Sequence, residues 1–479
     1  MSLLVIVALL LGVLAPLAPV QADVVQVQVL ARHGLRNVFH RNEIEVWDDG
    51  GQLSGHGYAQ MAAMGAAFRQ RYSNRTGPAP AAWNETELAK AVMARSTDSL
   101  TSMMSATAFM LGLVPPGSGP VDELTGKAAL PGALDPVGVH TVPMPLDIPL
   151  RAYDKCPKFI DGLDVMMNST EITNWQTQNQ AALDKLAKIT RSNVTAVTYL
   201  DAFEIIAVDH AFRNSTNITD TEFDQYEQMA SFLAGKMFTG AETSRMLSGR
   251  LLANMAQQIA AAVDVRNMTI PFIYLSGQYP TIMATYSALG VYGAAKGGIA
   301  AELPSPGAAL VVELHQDNAT QSFSVRVLVH DASRNRIFQE VVLDACDGAA
   351  MCPLDRFMSL LTASALAQPS EWCALCNNTM TPPCNIGNTV EIPVPAPCPP
   401  PSDAASGTVP AQTVNMDGDR SAAYGIVTGV GLGFLLATVL YAIIRCTKSR
   451  VLQDRLLPHI QQVWNRRCTR TPHHVELQA

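Results

Sequence analysis

The segment Arg32-His33-Gly34-Leu35-Arg36 sets an imidazole between two guanidiniums, on a turn whose glycine permits close backbone approach. Arginine offers fork-shaped donors that grip phosphoryl oxygens in pairs. Flanking positive charge would keep the histidine neutral and ready to attack phosphorus. A third arginine, Arg95, opens Arg95-Ser96-Thr97-Asp98 after another short apolar run and could reach the same phosphate. Read alone, the second tetrapeptide is a helix start capped by Ser96 or Thr97, and the first is a solvated basic turn. Only together do they describe an anion pocket with a nucleophile.

Both motifs need strands to aim them. Val24 to Ala31 alternates apolar and polar residues and then runs apolar into Arg32, as a strand ending at a loop does. Leu53 to Tyr72 places Met61, Met64, Phe68 and Tyr72 at helical spacing, with Ser54 as a candidate N-cap. Lys90 to Ala94 predicts a second strand, with Arg95 directly after it and a helix from Asp98 to Leu113. A third unit runs from the strand Phe272–Gly277 through Gln278-Tyr279-Pro280 into a helix ending near Leu289. Ala309 to Leu314, Ser322 to Val329 and Phe338 to Leu343 predict late strands. Repeated strand and helix units imply an α/β sheet with the site at the carboxyl ends of its strands. Residues 23–113 and 239–383 would form this core. Residues 114–238, first Pro/Gly-rich and then polar and helical, would be an inserted helical cap.

The two ends of the 479-residue chain predict export and anchoring. Residues 1–22 are apolar and end Val20-Gln21-Ala22, suiting a cleaved signal peptide. Residues 422–444 are uncharged and long enough to cross a hydrocarbon core of about 30 Å. Arg445, Lys448, Arg450 and Arg455 follow, marking residues 445–479 as a cytoplasmic tail and the chain as single-pass type I. Residues 384–421 are rich in Pro, Ser and Gly and read as a stalk. Gly425, Gly429 and Gly433 would give the span a smooth face for pairing in a homodimer. Leu456-Leu457 resembles a dileucine sorting signal, which leaves plasma membrane, endosome and lysosome open.

Nine glycosylation sequons, at Asn74, Asn84, Asn168, Asn193, Asn214, Asn217, Asn267, Asn318 and Asn377, lie upstream of the span. So do seven of the nine cysteines, in a compartment that lets them pair. Spacing alone does not assign the bridges, and Cys373-x-x-Cys376 lacks the partners of a zinc site. No metal or other cofactor is expected. A net charge of -8 gives no basic field for nucleic acid.

The chain resembles the histidine acid phosphatases, in their membrane-bound, lysosomal-type form. The resemblance runs through Ala31-Arg32-His33-Gly34-Leu35-Arg36, the Leu53–Tyr72 helix, Arg95-Ser96-Thr97-Asp98, Asp154-Lys155-Cys156-Pro157-Lys158-Phe159, Ala288-Leu289-Gly290-Val291-Tyr292 and Cys352-Pro353-Leu354-Asp355-Arg356-Phe357. It implies a three-layer α/β/α core with the cap inserted, His33 as nucleophile, Arg32, Arg36 and Arg95 as phosphate ligands, and a phosphomonoester substrate. It also implies the disulfides Cys346–Cys352 and Cys156–Cys376. Two departures matter. The family's later His-Asp pair aligns with Gln278-Tyr279, so an amide stands where histidine binds phosphate and a phenol where aspartate protonates the leaving group. Gln278 can still donate a hydrogen bond to phosphate, whereas Tyr279 is a feeble acid. Either a slow acid phosphatase or a pseudophosphatase acting as a surface or endosomal glycoprotein follows. Asp209-His210 is a candidate substitute acid, and His40 and His56 read as rim or surface residues.

Overall fold

A computed structural model describes residues 22–37, 40–41, 47–48, 52–73, 88–212, 218–264, 270–293, 302–380 and 382–385. The predicted signal peptide but for Ala22, the stalk beyond 385, the span 422–444 and the tail lie outside these residues. Among the described residues no helix is long and apolar enough to cross a membrane.

The strands of the main sheet are β1 (Ala22–Arg32), β2 (Val92–Thr97), β3 (Val139–Val142), β4 (Phe272–Gly277), β5 (Ala309–Asp317), β6 (Phe323–Asp331), β7 (Arg336–Val341) and β8 (Cys352–Pro353), and the short strands His40–Arg41 and Trp47–Asp48 pair separately. They form one eight-stranded sheet in the order β8-β6-β5-β1-β4-β2-β3, with β7 beside β6. The half from β1 to β3 is parallel; β5 and the strands beyond it pair antiparallel.

Helices α1 (Gly55–Ser73) and α2 (Leu100–Leu113) cover one face, burying Met61, Phe68 and Phe109 against Val27, Val29 and Tyr274. Phe109 stacks on Tyr274 at 4.1 Å between centroids. The two helices cross at glycines. A Cβ on Gly65 would sit 2.0 Å from the Phe109 carbonyl oxygen, and one on Gly112 would sit 1.9 Å from that of Ala62.

The polar alternation of β1 does not mark a solvated face. Gln26 and Gln28 are buried beneath the long helix α8 (Ala241–Val263, labelled after the insertion helices that follow) and bond to its carbonyls at Gln258 and Met255. Helices α9 (Tyr279–Ala288) and α10 (Leu354–Ser364) complete that face.

Between β3 and α8 the chain builds α3 (Pro157–Met167), α4 (Thr170–Gln178), α5 (Gln180–Thr190), α6 (Tyr199–Ala211) and α7 (Asp220–Phe238) around a separate apolar cluster. That cluster also takes in Tyr279 and Met283 of α9, so the insertion packs on the edge of the sheet where the parallel strands end. One boundary needs correction. Residues 139–142 fall in the stretch assigned to the cap, yet they extend the main sheet beside β2. Their β-branched Val139, Thr141 and Val142 suit a strand despite the Pro/Gly-rich surroundings.

Disulfides join Cys156 to Cys376, Cys346 to Cys352 and Cys373 to Cys384. The first is reinforced by backbone and side-chain hydrogen bonds, Lys158 N to Cys376 O at 3.1 Å and Asn378 Nδ2 to Lys155 O at 2.6 Å. Of the sequons, Asn168, Asn193, Asn318 and Asn377 are exposed, and the other five lie outside the described residues.

Candidate active site

The register of the parallel strands brings three loops to one place. Arg32 of β1 is level with Gly277 of β4, and Ser276 of β4 with Ser96 of β2. The chain leaves β1 directly into His33, whose N–H donates to Gly277 O at 3.3 Å while its own carbonyl accepts from Gly307 N at 2.9 Å. Helix α1 then clamps the turn. Ser54 Oγ donates to Leu35 O at 2.7 Å, and Gln60 bridges Leu35 N and Pro306 O. A Cβ on Gly34 would lie 2.8 Å from Met61 Cγ and 3.0 Å from Gly57 O, so a glycine is what lets the helix approach this closely. Gly34 N also donates to Ser105 Oγ at 3.0 Å, tying the turn to α2.

His33 is 2% exposed. Its Nδ1 lies 2.8 Å from the Gly34 carbonyl oxygen, which can only accept, so Nδ1 carries the proton and Nε2 keeps its lone pair. Burial, followed by the charges of Arg32 and Arg36, pushes its pKa from 6.5 to about 3. The imidazole therefore stays neutral in mildly acidic solution.

Arg32 is fixed on three sides. Nη1 donates to Pro304 O at 2.6 Å, Nη2 to Glu204 Oε1 at 2.5 Å, and its guanidinium carbon lies 5.0 Å over the Tyr279 ring. Arg36 is half-buried and bridges Leu53 through its backbone. Arg95 sits within β2, not after it, because β3 and β4 pair with it on either side at His140 and Leu275. Its Nη2 donates to Asp147 Oδ1 at 2.5 Å. Asp147 is fully buried and also caps the turn Ile148–Arg151 through Leu150 N.

Gln278, 1% exposed, is the N-cap residue of α9. Its Nε2 donates to Ser102 Oγ at 3.3 Å, and its Oε1 has no partner. Tyr279 follows, buried, with its ring edge-on to Phe238. Burial, and then the Glu204 carboxylate, raises its phenol pKa, so it holds its proton. Of the other sequence candidates, His210 turns away from this cluster. Its Nε2 lies 3.1 Å from Asp220 and its ring stacks on Phe223 at 4.1 Å. His56 is exposed on α1, and of His40 only the backbone is described, paired with Asp48.

Three acidic residues here escaped the sequence reading: Asp147, Glu204 and Asp201. Asp147 carries a legible signal, an aspartate two residues before Pro149, typical of a helix start. Glu204 carries a fainter one, since it interrupts an i, i+4 row between the buried Leu200 and Val208 on α6. Its carboxyl is pushed up by burial but held below the usual range by Arg32 and Arg36. Asp201, one turn earlier, is exposed to solvent but crowded by neighbouring chain, and that crowding, followed by the Glu204 charge, pushes its carboxyl up. The cluster thus sets one uncharged imidazole nitrogen among cations, with the Glu204 carboxylate reaching in from the insertion.

The family Histidine phosphatase superfamily (branch 2) matches residues 39–330, starting just beyond Arg36. The chain is 27% identical to lysosomal acid phosphatase of Bos taurus, over 73% of this chain and 79% of that protein. It is 26% identical to the Homo sapiens protein of the same name, over 77% and 84%, and 25% identical to prostatic acid phosphatase of Bos taurus, over 74% and 89%. In fold it is similar to Hafnia alvei phytase in complex with myo-inositol hexakis sulphate, with a TM-score of 0.53 at 15% identity over 74% of this chain and 99% of that one.

Proposed function

Because the chain belongs to branch 2 of the histidine phosphatase superfamily, we propose that it is an acid phosphatase which hydrolyses phosphomonoesters through a phosphohistidine on His33. The observation that carries this reading is the state of His33: buried, neutral, with Nε2 available and Arg32 and Arg36 beside it. Phosphoryl oxygens would be gripped by Arg32, Arg36 and Arg95. The Gln278 amide, turned half a turn about its last bond, would add a neutral donor. Nε2 would attack phosphorus opposite the ester oxygen, and water would then release phosphate from the imidazole.

A second reading, a pseudophosphatase that retains the pocket without turnover, is favoured by Gln278 and Tyr279, the latter holding its proton too firmly to act as an acid. One measurement decides between them. The full chain is assayed on an aryl phosphate at acidic pH, alongside His33→Ala, and labelled phosphate is trapped on the protein by rapid denaturation. Turnover and an acid-labile label that both vanish in His33→Ala carry the enzyme reading; their absence from the unaltered chain carries the other.

We further propose that the protein is a single-pass type I membrane glycoprotein of the endosomal and lysosomal system. The apolar segment 422–444 with its basic flank supports the anchor, and the sequons support the glycans. The relatives' name supports the compartment. The glycine face of that segment supports a homodimer.

A further inference from the structure

The position where an acid would protonate the leaving group holds Tyr279, and a carboxyl from another element lies across the Arg32 guanidinium from it. The Arg32 guanidinium carbon lies 5.0 Å over the Tyr279 ring, and Nη2 of the same guanidinium is 2.5 Å from Glu204 Oε1. One planar group therefore separates the phenol from a carboxylate carried by α6. Glu204 is costly where it stands. Its side chain is only 15% exposed, in a row otherwise filled by apolar residues that hold the helix down. Packing gives no reason for a charge there, and the Arg32 contact places that charge in the pocket.

We propose that Glu204 is the proton donor to the leaving group, supplying from the insertion the carboxyl group that the end of β4 lacks. The inference rests on the phosphatase reading above. The groups facing Glu204 are Arg32, Arg36 and His33 from the first loop, Asp201 from its own helix and Tyr279 from α9. The two arginines keep it ionised before substrate arrives, so its proton comes in with the substrate.

A phosphate monoester monoanion displaces Glu204 from Arg32 and passes its one proton to the freed carboxylate. His33 Nε2 then bonds to phosphorus as the ester P–O bond breaks, and Glu204 gives that proton to the departing oxygen, which leaves as an alcohol. In the second step Glu204 takes a proton from water, the water oxygen bonds to phosphorus, and the N–P bond breaks. Phosphate leaves as its monoanion, carrying the proton from Glu204, and His33 is neutral again.

The test is leaving-group dependence. The full chain and Glu204→Gln are assayed with 2,4-dinitrophenyl phosphate, whose leaving group needs no proton, and with glycerol 2-phosphate, whose leaving group does. We expect Glu204→Gln to lose about 10²- to 10⁴-fold in kcat/KM, which reports only the steps through release of the leaving group, on the alkyl ester and less than about tenfold in kcat/KM on the aryl ester. The retained aryl activity shows that the variant is folded. Adding Tyr279→Asp to Glu204→Gln should restore alkyl turnover, by returning a carboxyl to the end of β4. Equal losses on both esters would reduce Glu204 to a residue that positions Arg32, and unchanged alkyl turnover would remove it from the reaction; either overturns the proposal. If the unaltered chain fails on the dinitrophenyl ester, the phosphatase reading itself fails and takes this inference with it.

Discussion

Asp147 holds Arg95 by a 2.5 Å contact between Oδ1 and Nη2, across 52 residues of sequence and from a fully buried position. The same oxygen accepts from Leu150 N, so the arginine and the turn after β3 are fixed by one group. Asp147→Ala frees the guanidinium and uncaps the turn. Loss of the cap alone costs about 1 kcal/mol. The expected kinetic signature is a rise in KM for an aryl phosphate larger than any fall in kcat, since on the proposed reading Arg95 would grip the phosphoryl group in ground and transition state alike. A fall confined to kcat would remove Arg95 from ground-state binding.

His33 makes the fold acid-sensitive. Its pKa is about 3 folded against 6.5 ordinarily. Between those values the unfolded chain binds a proton that the folded chain refuses, so stability falls as pH falls, by about 1.4 kcal/mol per pH unit from this one group. Below about 3 both states are protonated and the slope ends. Replacing the imidazole by His33→Gln should lessen the acid slope of urea-unfolding free energies across that window by about this amount, leaving the share of groups such as Glu313, while values above neutrality stay close to those of the parent. A variant with the parent's full acid slope would place the proton uptake elsewhere.

Glu313 of β5 is the centre of a buried ionic network. It accepts from Arg71 Nε and Tyr72 Oη at 2.8 Å each, lies 3.0 Å from His315 Nε2 and pairs with Arg326 at 3.2 Å. Burial pushes its carboxyl up, but bonds from His315 and Arg71 win and bring it to about 2. Its contribution to stability is thus present above about 4.5 and lost as pH falls toward about 2. Glu313→Ala strands several donors and is expected to cost about 3–5 kcal/mol at neutral pH, read by chemical denaturation. A cost under about 1 kcal/mol would show that water replaces the carboxylate there.

Replacing glycine by alanine gives opposite outcomes at the α1–α2 crossing and inside α3. Gly112→Ala drives a methyl into the Ala62 carbonyl and should destabilise by about 1–3 kcal/mol. Gly162→Ala, inside α3 and with nothing within 4 Å of the new methyl, should stabilise by about 1 kcal/mol. Paired thermal melts decide it. Equal effects would place the helices further apart than described.

The parallel strands and the His33 turn were readable because local pattern settles them. Phe272–Gly277 is a six-residue apolar run fully buried on both faces, and its predicted bounds match the strand. Arg95 was read as lying beyond its strand because a charge after an apolar run resembles an ending; the ladder partners that prolong β2 come from residues 139–142 and 272–276. Glu204 was missed for a similar reason, since its meaning lies in Arg32, 172 residues away. The bridge between Cys373 and Cys384 is another case: with an odd number of candidates, only the folded chain selects a partner.

The bond between Cys156 and Cys376 spans 220 residues of sequence and encloses nearly all of the insertion together with the strands from β4 to β8. Where a protease meets the protein, a single cut anywhere within that loop would nick the polypeptide without dividing the particle. The two fragments would stay covalently joined until a reductant reached the bridge. Damage would then accumulate as hidden breaks in a protein that still migrates as one chain.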